Sequence, residues 1–192
     1  MSESFKFKYE VIKMLRDNIL AGLASFGLPI LSDTEKDGWD CVESEQQSFK
    51  HENKVVAFFQ ENVERIGWQG GRDEYDKERK VYNQIQQWIE QQTWKIRVIL
   101  RRTTEPVTAE TVTTNDVAAM LIAWFNRLGC AEFRKHYCSN LFVQMKDLRT
   151  YKGTSDASQW VSEFPLKLLV PKAFAAEMPS AIPELRGIIG IK

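Results

Sequence analysis

Net charge and long apolar runs are both missing from this sequence of 192 residues. Lysine and arginine together number 26, and aspartate and glutamate also number 26, so the formal net charge is zero. General nucleic-acid-binding proteins usually carry a basic excess or a basic run, and the sequence has neither. No apolar run approaches the roughly 20 residues that a membrane-spanning helix requires. These absences argue against a general nucleic-acid binder and against a helical membrane protein.

Cysteine is scarce as well. The three cysteines, Cys41, Cys130 and Cys138, are odd in number and irregularly spaced. Such a pattern argues against a disulfide framework and for a reducing compartment. The first residues lack the apolar core and the small-residue cleavage site of a signal peptide. We therefore expect a soluble protein that is made in the cytoplasm.

The motifs of common catalytic and cofactor sites are not found. Cys130, His136 and Cys138 lack the repeated, paired spacing of a zinc site. The sequence contains no Gly-x-Ser-x-Gly elbow. The glycines between residues 67 and 71 match neither a phosphate-binding loop nor a dinucleotide fingerprint. We expect no metal, no cofactor and no enzymatic activity.

Apolar periodicity predicts an α+β order of elements. Three-to-four-residue spacing marks three helices, at about 5–26, 115–128 and 131–137. Alternating patterns mark four strands, at about 54–68, 84–102, 140–151 and 158–170. This order predicts a single domain with a mostly antiparallel sheet and helices packed on one face.

The leading helix carries one apolar stripe. Ile12, Leu15, Ile19, Leu23 and Phe26 recur at helical steps. We favour the interpretation that this stripe docks on the protein's own sheet, with a membrane or a partner protein as alternatives.

Residues typical of helix ends flank the predicted helices. Gly27 suits the left-handed residue that often ends a helix. Thr114 or Asn115 can cap the second helix, and Asp116 suits its positive end. Gly129 is expected to stop that helix.

Two long segments are predicted to lie largely outside the core. Residues 28–53 form a long polar connection, which Trp39 is expected to anchor to the body. The first two strands form a long β-hairpin, and its polar distal half, about 65–86, is expected to project from the body. A plain solvated excursion is the alternative for this hairpin.

Prolines interrupt the last strand and the tail. Pro165 cannot donate a backbone hydrogen bond, so its strand should lie at an edge or carry a bulge. Residues 171–192 are apolar but broken by prolines, and we treat them as an extended C-terminal arm beside a 1–170 domain. Residues 173–176 could form one helical turn. The arm lies either on a neighbouring subunit or on its own sheet.

The closing pair of strands is the most telling part of the pattern. Residues 142–149 read FVQMKDLR, a polar tip follows, and residues 160–168 read WVSEFPLKL. Together with the leading helix, the two long strands and the capped helix with its short follower, this order resembles the tail terminator (neck) proteins of tailed bacteriophages. More loosely, it resembles the ring-forming tail-completion fold. The resemblance covers about residues 5–170.

This resemblance implies a structural virion protein located in the phage tail or neck. Tail terminators form a ring, commonly a hexamer, that caps the tail tube, stops its polymerisation and joins it to the head connector. The implied partners are other copies of the chain, the tail tube protein and the head–tail connector, with the sheath protein as a further candidate. DNA would pass through the lumen without sequence-specific binding, and a chain without net charge suits that role.

We assign the interface hypothesis to two segments. The distal hairpin would face a tube or a ring neighbour through Arg72, Asp73, Tyr75, Lys77 and Arg79. The arm would lie on an adjacent subunit or on the sheath side through Phe174, Ile182, Ile188 and Ile189. The alternatives are another connector, stopper or tail tube protein, and, further off, a small cytoplasmic enzyme or nucleic-acid-binding domain.

Overall fold

A computed structural model describes residues 8–44, 54–77, 81–101, 111–152 and 159–178. Its α-helices are α1 (Lys8–Ser25), α2 (Thr114–Asn126) and α3 (Gly129–Lys135), and a 3₁₀ turn spans Met145–Asp147. Its strands are β1 (Asp40–Glu43), β2 (Lys54–Asp76), β3 (Val81–Arg101), β4 (Ser139–Asn140), β5 (Arg149–Lys152) and β6 (Gln159–Met178).

The strands form one mixed, mostly antiparallel sheet. Its order is β1-β2-β3-β6-β4, and β5 also pairs with β6. Only the β1–β2 pair is parallel among these named pairings. The predicted fold class, a single α+β domain with a mostly antiparallel sheet, is confirmed.

Helices cover one face of the sheet and build the main core with it. Leu15, Ile19 and Leu23 of α1 are almost fully buried and belong to the same apolar cluster as Phe58 of β2 and Phe164 of β6. The interpretation that the stripe of α1 docks on its own sheet is therefore confirmed for Leu15, Ile19 and Leu23, whereas Phe26 lies beyond the end of the helix and is 42% exposed. The helix ends as the sequence predicts, because Gly27 adopts a left-handed φ of 74° just after Ser25.

The predicted connection at 28–53 contains a strand that the sequence did not reveal. Residues 40–43 form β1 and pair in parallel with residues 55–58 of β2. Trp39 is 3% exposed and packs in the main core, so its predicted anchoring role is confirmed. The strand escaped prediction because it is only four residues long and reads Asp-Cys-Val-Glu, a pattern with little apolar signal.

The predicted strand at 140–151 is wrong over most of its length. Only β4 and β5 are strands there, and a 3₁₀ turn separates them. The reason is local: the side-chain amide of Asn126 donates to the carbonyl of Val143 at 2.9 Å and accepts from its N–H at 2.9 Å. A helix-end side chain thus takes the backbone bonds that a neighbouring strand would have made.

The caps of α2 also differ from the prediction. Thr113, not Thr114 or Asn115, is the N-cap, and it forms a reciprocal capping box with Asp116. Hydrogen bonds from the hydroxyl and the backbone N–H of Thr113 lower the pKa of Asp116. Gly129 does not stop α2; it is the first residue of α3, and α2 ends at Asn126.

Strand β6 runs across the predicted domain boundary at 170/171. It continues to Met178 and pairs with β3 throughout, so residues 173–176 are extended and the predicted helical turn there is wrong. Pro165 pairs with Lys95 of β3. On the other side, β5 pairs with β6 residues 160–163 and β4 with residues 168–169. The prediction that this strand lies at an edge or carries a bulge is wrong, because β6 lies between β3 and β4 and its register with β3 is continuous. The gap between β5 and β4 leaves Pro165 with a strand partner on one side only, which a residue without an N–H tolerates.

Candidate assembly interface

Five large apolar side chains are exposed beside β4, and we call them the lateral patch. They lie within 18 residues that run from the end of α2, through α3, to the 3₁₀ turn: Leu128, Tyr137, Leu141, Phe142 and Met145. Tyr137 is 78% exposed and Phe142 is 75% exposed. Scattered exposed apolar residues are ordinary, but five of them within one short segment make this region a candidate contact site.

A buried polar junction fixes the end of α2, where the lateral patch begins. The Asn18 side chain, 2% exposed, accepts a hydrogen bond from the Trp124 indole N–H at 2.6 Å and donates to the Gly129 carbonyl at 3.0 Å. A Cβ on Gly129 would come within 2.6 Å of the indole nitrogen, so only glycine fits there. Helices α1, α2 and α3 are thereby locked together, and Leu128 is turned outward.

Tyr137 has a strained backbone. Its φ is 57°, a left-handed conformation in which a residue with a Cβ is disfavoured by about 1 kcal/mol. The residue ends α3, where Cys138 N–H bonds to the Phe133 carbonyl at 3.0 Å. Glycine usually serves at such a position. The left-handed backbone of Tyr137 is thus explained by the end of α3, and its ring is part of the lateral patch.

Asparagine side chains hold the remaining part of the lateral patch on α2. The Asn126 side chain forms two hydrogen bonds with the backbone of Val143, and the Asn140 side chain donates to the Phe125 carbonyl at 3.0 Å. Val143 is therefore buried, while its neighbour Phe142 faces outward. The exposure of Phe142 thus follows from a rigid local structure.

The lateral patch has a basic surround. Residues 127–152 include six basic and two acidic side chains. Arg134, Lys146 and Arg149 are exposed, whereas Lys135 is held by Glu132 at 2.8 Å. Apolar side chains with a charged rim are the ordinary anatomy of a protein–protein contact.

An ion-pair network occupies the sheet face opposite the helices. Arg97 Nε donates to the Glu163 carboxylate at 3.0 Å and lies 4.6 Å from the centre of the Phe59 ring. Tyr151 donates to the same carboxylate at 2.9 Å, and Lys95 bridges to Glu61 at 2.9 Å. All these groups bind one another, so we assign the network to sheet stability and not to chemistry.

The pKa values of the network agree with a stable carboxylate. Burial acts to raise the pKa of Glu163, but the hydrogen bonds from Arg97 and Tyr151 and the charge of Lys95 outweigh it, and the pKa lies below its ordinary value. Burial, together with the bond to Glu163, raises the pKa of Tyr151. Both groups keep their ordinary charge states near neutral pH.

The predicted hairpin residues lie on β2 and in the turn after it. Arg72 pairs with Ile85 of β3, and Asp73 pairs with Gln84. The Tyr75 side chain is 47% exposed, and Lys77 is exposed in the turn. Arg79 lies outside the described residues. Projection of the hairpin from the body stays a prediction.

Strand β6 brings part of the predicted arm next to the distal half of the β2–β3 hairpin. Phe174 pairs with Gln86 of β3, and Gln86 pairs with Gly71 of β2. We call these three paired ends the ribbon: residues 70–76, 81–87 and 173–178. Two of the predicted interface segments therefore share one three-stranded unit. Ile182, Ile188 and Ile189 lie outside the described residues.

Along β3, between the apolar core and the ribbon, lies a row of hydrogen-bonded polar side chains. On the helix-side face of β3, the Trp94 indole N–H donates to Gln92 at 3.2 Å, and the Gln92 amide donates to Glu90 at 3.0 Å. Trp88 donates to the same Glu90 carboxylate at 3.2 Å, and Arg65 stacks over the Trp88 ring at 5.1 Å. The apolar core ends here, because successive inward positions become hydrogen-bonded polar groups.

Sequence patterns did not single out the lateral patch. Helical spacing within 115–128 predicts that Leu128 is buried with the stripe of that helix, and alternation within the predicted strand at 140–151 puts Leu141 and Met145 on one face with Val143. One usable signal was the run Leu141-Phe142-Val143, since a half-buried strand should not be apolar on both faces. The glycine-like position of Tyr137 could not be read from the sequence.

Comparisons with known proteins give no function for this surface. The sequence matches no protein-family model, and no curated protein matches it. Within the described ranges, no three or more histidine, cysteine, aspartate or glutamate side chains group as metal ligands would. No helix among the described residues is long and apolar enough to cross a membrane.

Proposed function

We propose that the protein is a structural component of a phage virion, a tail terminator that assembles into a ring. The observation that carries this proposal is the lateral patch, a group of exposed apolar side chains at one edge of the sheet whose backbone is held by hydrogen bonds to α2. Burying it against protein would remove apolar area from water at about 25 cal/mol per Å². That the assembly is a ring is inferred from the order of elements, which resembles that of tail terminators.

In this proposal the ring, commonly a hexamer in such proteins, caps the tail tube and joins it to the head connector. Ring contacts are heterologous, so one surface of a subunit meets a different surface of the next. The lateral patch is one such surface. The ribbon, with Arg72, Asp73, Tyr75, Lys77 and Arg79, is proposed to face the tube or a ring neighbour.

The proposed site of action is the tail or neck of the virion, and the proposed activity is not enzymatic. DNA passes through the lumen, and the absence of net charge supports weak, sequence-independent contact with it. The sheath protein is a further proposed partner, next to the arm.

Electron microscopy of the purified protein, alone and with polymerising tail tube protein, tests this function. A terminator forms rings that stop at one layer, and added protein shortens the tubes and appears at their ends. Long cylinders formed by the protein alone would identify a tube protein instead. Rings that bind connectors but leave tube length unchanged would favour a stopper.

The arm has its own test. We expect a chain that ends at Met178 to keep the sheet, because β6 is complete there, but to cap tubes less well. The matched full-length variant replaces Ile182, Ile188 and Ile189 with serine. If both variants form rings and cap tubes as the unmodified chain does, the proposed contact of the arm is wrong.

A further inference from the structure

The two lateral edges of the sheet differ in charge. Strand β1 lies at one end of the strand order, and β4 and β5 lie at the other end, beside the lateral patch. Residues 31–44, which include β1, carry five acidic side chains and one basic side chain. Residues 127–152, at the opposite edge, carry six basic and two acidic side chains.

We propose that the β4 edge of one copy, with its lateral patch, binds the β1 edge of the next copy. This inference rests on the proposed ring and names the contact that closes it. Opposite charge on opposite edges is what a head-to-tail contact requires, because each copy then offers one edge of each kind. Two like edges would repel each other, which disfavours a two-fold pair through either edge.

The acidic edge keeps part of its charge after its internal ion pairs are counted. Lys54 binds Asp37 at 2.6 Å, and Lys8 binds Glu43 at 3.5 Å. With these two lysines included, five carboxylates still face three amines. Asp33 and Glu35 lie on an exposed turn, where their carboxylates can approach another copy.

The acidic edge also offers an apolar group. Tyr9 is 73% exposed and directly follows Lys8, which reaches β1 through Glu43. An exposed aromatic ring next to the acidic segment complements the opposite edge, where the exposed Tyr137 and Phe142 belong to a segment rich in basic side chains. The apolar groups would supply the affinity, and the charges would fix which edge meets which.

Charge reversal on each edge tests this contact. The basic-edge variant is Arg134→Glu with Lys146→Glu, and the acidic-edge variant is Asp33→Lys with Glu35→Lys. None of the four substitutions removes a close, buried ion pair. We expect each variant alone to self-associate at least about tenfold more weakly, an effect that shrinks with added salt.

Mixing the two variants is the decisive arm of the experiment. Each variant brings one edge to zero net charge within its range, with four side chains of each sign at 127–152 or three of each sign at 31–44. In an alternating mixture the reversed positions of one variant meet only the reversed positions of the other, and unchanged edges meet unchanged edges. Opposite charges then face each other at these positions again, so an alternating ring should form. Native mass spectrometry of the mixture, with one variant carrying a heavy isotope, distinguishes alternating from single-variant rings. Ala123→Glu, on the exposed side of α2, is the control for added charge away from both edges.

The outcomes separate this contact from the proposed function. If wild-type rings form and both variants assemble as the wild type does, the edge contact is wrong while the ring stands. If both variants are weakened but mixing restores nothing, the edges meet a different partner and the contact is also overturned. If the wild type forms no ring alone or with tail tubes, the proposed function itself fails.

Discussion

The two faces of the sheet are stabilised in different ways. The helix-covered face contributes to a core of 24 buried apolar side chains among the described residues. The opposite face buries four, Val55, Ala57, Ile99 and Val161, all of them from strands. Beside those four lies the network of Arg97, Glu163 and Tyr151 described above.

This difference indicates where the free energy of unfolding comes from. Burial of large apolar side chains dominates on the covered face, whereas polar bonds on the other face contribute a smaller net amount because they replace bonds to water. The lateral patch belongs to neither face. It should contribute little to the stability of a single chain and much to assembly.

The largest effect should come from the covered face. Phe164 is 1% exposed, and its ring packs 6.3 Å from that of Phe125. We expect Phe164→Ala to lower the free energy of unfolding by about 3–5 kcal/mol, because it removes apolar contacts and leaves a cavity. Urea unfolding measures it. The matched pair is Val98→Ala on the covered face and Val161→Ala on the open face, since both remove the same atoms from a buried valine. We expect Val161→Ala to cost less than Val98→Ala, and equal losses would contradict the difference between the two faces.

The buried polar junction under the covered face should rank second. Asn18→Ala leaves the Trp124 indole N–H and the Gly129 carbonyl without their partner. Each unsatisfied group costs about 1–3 kcal/mol, so we expect Asn18→Ala to lower the free energy of unfolding by about 3 kcal/mol. The change Asn18→Asp keeps the acceptor for Trp124 but buries a carboxylate against the Gly129 carbonyl oxygen, so it should cost at least as much as Asn18→Ala. A neutral Asn18→Ala would mean that water replaces the junction.

The network on the open face should rank third and show a pH signature. Glu163→Gln removes a charged partner of Arg97, and we expect a loss of about 2 kcal/mol at neutral pH. Because the folded pKa of Glu163 lies below the unfolded one, its contribution is complete above the unfolded value, about 4.3, and disappears as pH falls through the folded value.

The variant and the wild type should therefore converge in stability in acid. Chemical unfolding between neutral pH and about pH 3, near the lower end of ordinary carboxyl pKa values, measures this convergence. Tyr151→Phe, which removes one hydrogen bond and no charge, is the milder companion. A difference between Glu163→Gln and the wild type that stays constant with pH would contradict the assigned pKa shift.

The smallest effect on the single chain should come from the lateral patch. Phe142 is 75% exposed, so we expect Phe142→Ser to change the free energy of unfolding of the monomer by less than about 0.5 kcal/mol. Self-association, measured by sedimentation, should nevertheless weaken clearly. A variant that is destabilised like a core mutant would place Phe142 in the fold and not in a contact.

Periodic patterns predicted most of the fold because the covered face is built from long, regular elements. The stripe Leu15, Ile19 and Leu23 and the alternation Trp94, Ile96 and Val98 both end in the main core. Predictions failed where side chains replace regular backbone pairing, as where Asn126 binds Val143. The lateral patch was missed for the same reason: exposure there follows from tertiary contacts that leave no periodic trace.

The solution mass of the unmodified chain, measured by light scattering over a range of concentrations, tests the central claim most directly. The account predicts one discrete closed species of about six copies, the ring size that the resemblance to tail terminators implies, which for a 22.3 kDa chain is about 134 kDa. A mass of one chain at every concentration, unchanged when tail tubes are added, would contradict it.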